Sequence, residues 1–103
     1  MIKISVFYPN SASVRFDMNY YVSKHLPMVQ KKIGSALKAV AAEQGISGGT
    51  PGAPAPYVAV GHLMFDSVDA FQAAFAPHAE AIMADVANYT NVQPIIQIAE
   101  VKL

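Results

Sequence analysis

"YVAVGHLMF", residues 57–65, is the stretch on which the fold turns. Its β-branched and aromatic content reads as a strand, and alternation divides that strand into two faces. Val58, Val60 and Met64 stand against Ala59, Leu63 and Phe65, so both faces are apolar. An antiparallel strand with one wet side would be polar there. The last strand, within "VQPIIQIAEVKL" (92–103) and starting near Pro94, repeats the pattern, with Ile96 and Ile98 opposing Ile95 and Val101. Two such sheets packed face to face would bury both sides, so the alternation predicts a homodimer.

Working outward, residues 2–8 form a β-rich run closed by Pro9-Asn10 and the polar "NSAS". Ile2, Ile4, Val6 and Tyr8 point one way, Ser5 and Phe7 the other. Asp17 is placed to cap a helix over 17–33 with a core stripe of Met18, Val22, Leu26, Val29 and Ile33, and Gly34 ends it. "ALKAVAAEQG" (36–45) favours helix on alanine content, but its place between a helix stop and a turn-rich stretch favours a strand. "GISGGTPGAPAP" (45–56) lacks a Gly-Lys-Ser/Thr ending and reads as a loose connection between antiparallel strands. "SVDAFQAAFAPHAEAIMADV" (67–86) reads as two short helices broken at Pro77, and "NYTN" (88–91) as a turn. The order is β-α-β-β-α-β: an α+β, ferredoxin-like domain over 1–103 with a four-stranded antiparallel sheet under its helices.

Composition narrows the function. Seven basic and seven acidic residues cancel, leaving no electrostatic footprint for nucleic acid or an anionic membrane. No apolar run approaches the roughly 20 residues that span a bilayer, and no signal peptide follows Met1, so a cytoplasmic location is expected. The chain has no cysteine, hence no disulfide, thiol nucleophile or thiolate metal site. Apolar residues make up 53% and charged residues 14%. That is more oil than a small domain can hide, which again favours association.

The candidate chemistry lies in "YYVSKHLPMV" (20–29). A proline inside a helix removes one hydrogen bond, crowds the carbonyl of Ser23 and costs about 3 kcal/mol. Pro27 does this two residues past His25, and the resulting kink can open a groove. Tyr21, His25 and Met28 form the shoulder of the helix, beside the stripe, facing the seam with the sheet. A histidine there is either a hydrogen-bonded structural residue or a general acid/base in an apolar pocket. His62 has two readings. If Ala59 and Gly61 face the helices, their missing bulk leaves a cavity and His62 points to the partner sheet; if reversed, His62 and His25 converge as an acid/base pair. His78, after Pro77, is expected at the surface. Asp85, Asn88 and Tyr89 cluster where the last helix ends, as turn-makers with Asn88 as cap, or with Tyr89 at the mouth of a pocket. The three histidines are too scattered for a metal site, and no nucleotide fingerprint or serine elbow is present.

"MIKISVFYPN" (1–10), "RFDMNYYVSKHLPMV" (15–29), "HLMFDSVDAFQAAFAPHAEAIMADVANYTN" (62–91) and "PIIQIAEV" (94–101) together resemble the EthD family, named for ethyl tert-butyl ether degradation. The Asp-x-x-Tyr-Tyr-x-x-x-His-x-Pro stretch from Asp17 to Pro27 is the most specific part of the match. The resemblance implies a dimeric α/β barrel, in a superfamily of cofactor-free monooxygenases, haem-degrading enzymes, isomerases, cyclases and stress proteins. Fold alone therefore does not give the reaction. In similar muconolactone-type isomerases a histidine at the position of His25 lines the substrate cleft, which implies His25 as acid/base with Tyr21 orienting it. Met28, His62, Asp85 and Tyr89 are the further candidates for contacting substrate. The family's association with oxidative ether degradation by a cytochrome P450 system implies a role in catabolism of apolar organic compounds. Either an oxygenase or isomerase working without cofactor or metal, or a non-enzymatic carrier serving an oxygenase, fits that role. The chain has no tryptophan and so departs from the haem-degrading subgroup, leaving haem binding at His25 as the weakest reading.

Overall fold

β1 (Ile2–Pro9) lies inside a sheet of order β2-β3-β1-β4, where β2 is Ala39–Gln44, β3 is Tyr57–Phe65 and β4 is Ile95–Glu100. A computed structural model describes every residue from Met1 to Leu103. All three strand pairings are antiparallel, giving the split β-α-β-β-α-β order of the ferredoxin-like fold. The ambiguous "ALKAVAAEQG" does supply a strand, on the edge beside β3.

The first helical region is not one regular helix. A single turn, α1 (Met18–Tyr20), starts where the Asp17 carboxylate accepts from the Tyr20 amide. It passes into a π turn (Tyr21–His25), in which the Leu26 amide donates to the Tyr21 carbonyl five residues back. α2 (Leu26–Ile33) follows and stops at Gly34, whose φ of 74° is open to glycine and strained for other residues. Pro27 thus stands within continuous helical backbone directly after the π turn, whose widened bonding accommodates the missing N–H and the ring.

The π turn inserts a residue and rotates everything before it. The expected stripe through Val22 is corrected accordingly: Val22 is 45% exposed, while Tyr21 and His25 are buried at 1% and 4%. Two of the three residues expected on the shoulder, Tyr21 and His25, are in the core, continuous with Leu26, Val29 and Ile33, while Met28 is half-buried.

The other helices are α3 (Val68–Phe75), capped by the Ser67 hydroxyl, and α4 (Ala79–Ala84), separated by a tight turn containing Pro77. His78 in that turn is half-buried rather than fully exposed. A 3₁₀ turn (Asp85–Asn88) follows α4. One half of the core is Ile2, Ile4, Val29, Ile33, Leu63, Phe65 and Ile82, with Phe71 and Phe75 stacked at its edge. The other half gathers Tyr8, Tyr21, Leu26, Ala59 and Tyr89.

Ala59, Gly61, Leu63 and Phe65 face the helices, so His62 points to the opposite side of the sheet. That side is less oily than alternation suggested. Glu43, His62 and Ser5 bond across β2, β3 and β1, with His62 3.2 Å from Glu43 and 3.0 Å from Ser5. Apolar character on both faces is real on the edge strand β4. Ile96 and Ile98, paired with Val6 and Ile4, are about half exposed because no helix covers this edge, and Ile95 on the other face is 56% exposed. Val101 falls past the strand end.

Candidate functional site

His25 enters the core because the π turn aims it there, stacked on Tyr21 at 5.6 Å between ring centres and tilted against Tyr89 at 4.7 Å. Its Nδ1 lies 2.9 Å from Asp85 Oδ2. Asp85 is carried by the 3₁₀ turn after α4, so the pair ties the two helical segments together. The other oxygen, Oδ1, accepts from the Tyr20 hydroxyl and from Asn88 Nδ2, each at 2.8 Å. Asn88 thus braces the carboxylate instead of capping backbone. With its side chain 19% exposed, Asp85 is the wet end of the pair.

Charges follow from these surroundings. Burial pushes the Asp85 carboxyl up, but hydrogen bonds from Asn88, His25 and Tyr20 outweigh it and hold the group below the ordinary carboxylate range. Asp85 is therefore a carboxylate that accepts the Nδ1 proton of His25. Burial is the largest influence on His25 and lowers its pKa, against the opposing pull of Asp85. The imidazole is neutral at neutral pH, with Nε2 bare and turned toward the Tyr89 hydroxyl at 3.5 Å.

Beyond Nε2 the tyrosines make a line. Tyr89 and Tyr8 share a hydrogen bond of 2.7 Å, and the Tyr21 ring packs edge-on against Tyr8 at 5.6 Å between centres. The Tyr21 hydroxyl ends over Gly61, where a Cβ would lie 2.0 Å from it. Only glycine admits the ring at that depth. Burial, the leading influence on each, drives all three phenols far above their ordinary pKa, so they stay protonated.

This line forms one wall of a cavity of about 80 Å³ between the helices and the sheet. Apart from His25 and the three phenol tips, its side chains are hydrocarbon, including Val6, Leu26, Val29, Leu63, Phe71 and Ile82. The mouth lies at Met83, Val86, Pro94 and Ile96; Met83 and Ile96 are 44% and 50% exposed there. Such a chamber suits a small apolar molecule with one polar end.

The structure brings four of the six sequence candidates together: His25, Tyr21, Tyr89 and Asp85. Met28 packs on the neighbouring core, and His62 is across the sheet, so neither reaches the cavity. Tyr8, Tyr20, Asn88 and Gly61 were not singled out as site residues. Tyr8 carried the one usable signal, a phenol alternating with Ile4 and Val6 on the helix side of β1.

A ferredoxin-like α+β domain with a buried histidine–carboxylate pair at an apolar chamber is the class that fold and site define. The model of the EthD domain matches residues 10–93, and the chain belongs to this family. An EthD-like protein from Ralstonia eutropha JMP134 is 41% identical, superposes with a TM-score of 0.95, and is matched over 99% of this chain and 92% of that one. An ethyl tert-butyl ether degradation (EthD) family protein from Bacillus halodurans C-125 is 17% identical, with a TM-score of 0.67 and 99% of each chain covered. A dimeric ferredoxin-like protein from Thermobifida fusca YX is 18% identical, with a TM-score of 0.55 over 97% of this chain and 89% of that one. No curated protein matches the chain. No helix is long and apolar enough to cross a membrane.

Proposed function

We propose that this protein binds a small apolar organic molecule under α2 and the π turn and acts on it by proton transfer, with His25 as the acid/base. Asp85 holds the ring in the tautomer that leaves Nε2 free, and Tyr21 orients the bound molecule. The setting is oxidative catabolism of apolar compounds, as the family name suggests. The observation that carries this reading is the 2.9 Å His25–Asp85 pair at a hydrocarbon-lined chamber, with the other ring nitrogen 3.5 Å from the Tyr89 hydroxyl. The working unit is a homodimer: Ile95, Ile96 and Ile98 leave both faces of β4 oily in a lone subunit.

His25→Ala tests the reading. Incubation with alkyl ethers, alkylphenols and lactones, followed by product analysis, should show turnover in the parent and none in the variant. Sedimentation should show a dimer in both. Binding without product in the parent would make the protein a carrier, and equal turnover in the variant would remove His25 from the chemistry.

A further inference from the structure

Tyr20 and His25 are five residues apart, a step of roughly 140° around a regular α-helix, so their side chains should diverge. They meet on one carboxylate instead. The Tyr20 hydroxyl donates to Asp85 Oδ1 at 2.8 Å, and His25 Nδ1 lies 2.9 Å from Oδ2. The π turn is the reason. Its additional residue makes a step of five do the work of a step of four, the spacing at which helical side chains are neighbours. Asn88, three residues past Asp85 on the 3₁₀ turn, puts a second donor on Oδ1 at 2.8 Å.

The partners of Asp85 differ in charge. His25 is its ion-pair partner, and the two donors on Oδ1 are neutral. Lys24 rests over the Tyr20 ring, 5.6 Å from its centre, instead of pairing with the carboxylate. A lysine or arginine on Oδ1 would offset the negative charge and weaken its hold on a protonated ring. Neutral donors fix the direction of the carboxylate and leave its charge to His25. Without them, a carboxylate whose side chain is 19% exposed turns to water, and an ion pair open to solvent holds little.

We propose that Tyr20 and Asn88 are positioning residues: acting through Asp85, they hold His25 as the Nδ1–H tautomer and fix the carboxylate against the imidazolium. The proposal rests on the reading of His25 as the acid/base. Neither residue lines the cavity. Their task is to keep Nε2, on the Tyr89 side of the ring, as the nitrogen that accepts. The bond to Asp85 raises the Tyr20 pKa, so Tyr20 stays a donor wherever His25 titrates. The groups facing the ring are Tyr21, Tyr89 and Asp85, and of these Asp85 alone is charged, since both phenols stay protonated.

The test reads the ring itself. With isotope-labelled histidine nitrogens, long-range proton–nitrogen correlation spectra separate Nδ1–H from Nε2–H imidazole and follow protonation with pH; His25→Asn identifies the His25 signals. The parent should hold His25 almost wholly as Nδ1–H. Tyr20→Phe keeps the ring that stacks on Tyr89, and Asn88→Ala changes an exposed position. Each should cut the ratio of Nδ1–H to Nε2–H about fivefold, with a further cut in the double variant. The His25 pKa should move further down in each, because a wandering carboxylate no longer favours the charged ring. Removing a donor without loosening Asp85 would do the opposite, leaving more charge on Oδ2 and raising that pKa. An unchanged ratio or a raised pKa therefore overturns the assignment, as does a parent ring found as Nε2–H. A role confined to packing would lower the unfolding midpoint, leave the ratio as in the parent, and overturn it equally. Circular dichroism checks folding, and if Tyr20→Phe does not fold, Asn88→Ala decides. The spectra need no bound molecule, so positioning stands or falls on them, while the acid/base reading stands or falls on turnover by His25→Ala.

Discussion

Gly61→Ala is the perturbation that most directly interrogates the site's geometry. The added Cβ would lie 2.0 Å from the Tyr21 hydroxyl and 3.3 Å from Tyr21 Cζ. Tyr21 is fully buried among Tyr8, Phe16, His25 and Tyr89, so its ring has nowhere to swing. Overpacking of this kind costs about 1–3 kcal/mol, offset by roughly 0.5–1 kcal/mol from replacing glycine within a strand. Tyr21→Phe alone loses one hydroxyl contact, about 1 kcal/mol. In the double variant the close oxygen is gone and the next atom, Cζ, needs to yield only a few tenths of an ångström. The double variant should thus be little worse than Tyr21→Phe, giving a favourable coupling of about 1–2 kcal/mol. Urea unfolding followed by circular dichroism measures all four corners of the cycle, at one protein concentration because association would shift the midpoints. Additive losses within about 0.5 kcal/mol would refute the claim that the hydroxyl rests on Gly61.

Two further outcomes follow from the π turn and the buried pair. Stability should fall as the pH drops below about 6.5: folded His25 binds a proton less readily than the unfolded chain, so between its lowered folded pKa and that value the unfolded state holds more protons. Above about 6.5 this contribution is complete, and His25→Asn should flatten the slope in denaturant titrations from pH 7 toward 5; an unchanged slope assigns the pH dependence elsewhere. Pro27→Ala should change stability by less than about 1 kcal/mol, because the π turn before Pro27 already accommodates its ring and missing N–H; a gain near 3 kcal/mol would mean the proline strains the helix in full.

The sheet was legible because its signals are local and periodic. Strand alternation, the Asp17 cap, Gly34 and Pro77 each act within a few residues, and each stands where the sequence placed it. The site was legible by residue type but not by phase. Stepping back by four from Leu26 reaches Val22, and nothing in the letters records the additional residue in the π turn that moves Tyr21 to that place. Pro27 was the warning: a proline where a helix should continue means that some register nearby must change. His62 could not be assigned to a face from one strand, since the facing depends on Tyr21 lying over Gly61, a contact between residues 40 apart in sequence. The outer face was overestimated as oily because alternation sorts residues by type. It does not reveal that Glu43, His62 and Ser5 satisfy one another across three strands.

The same geometry explains why so polar a line survives in so small a core. A buried hydroxyl or imidazole without a partner costs roughly 1–3 kcal/mol, so separate burial of Tyr8, Tyr89 and His25 would exhaust much of a small domain's stability. Bonded in series, Tyr8, Tyr89 and His25 satisfy one another, and the series ends at Asp85, the member that reaches water.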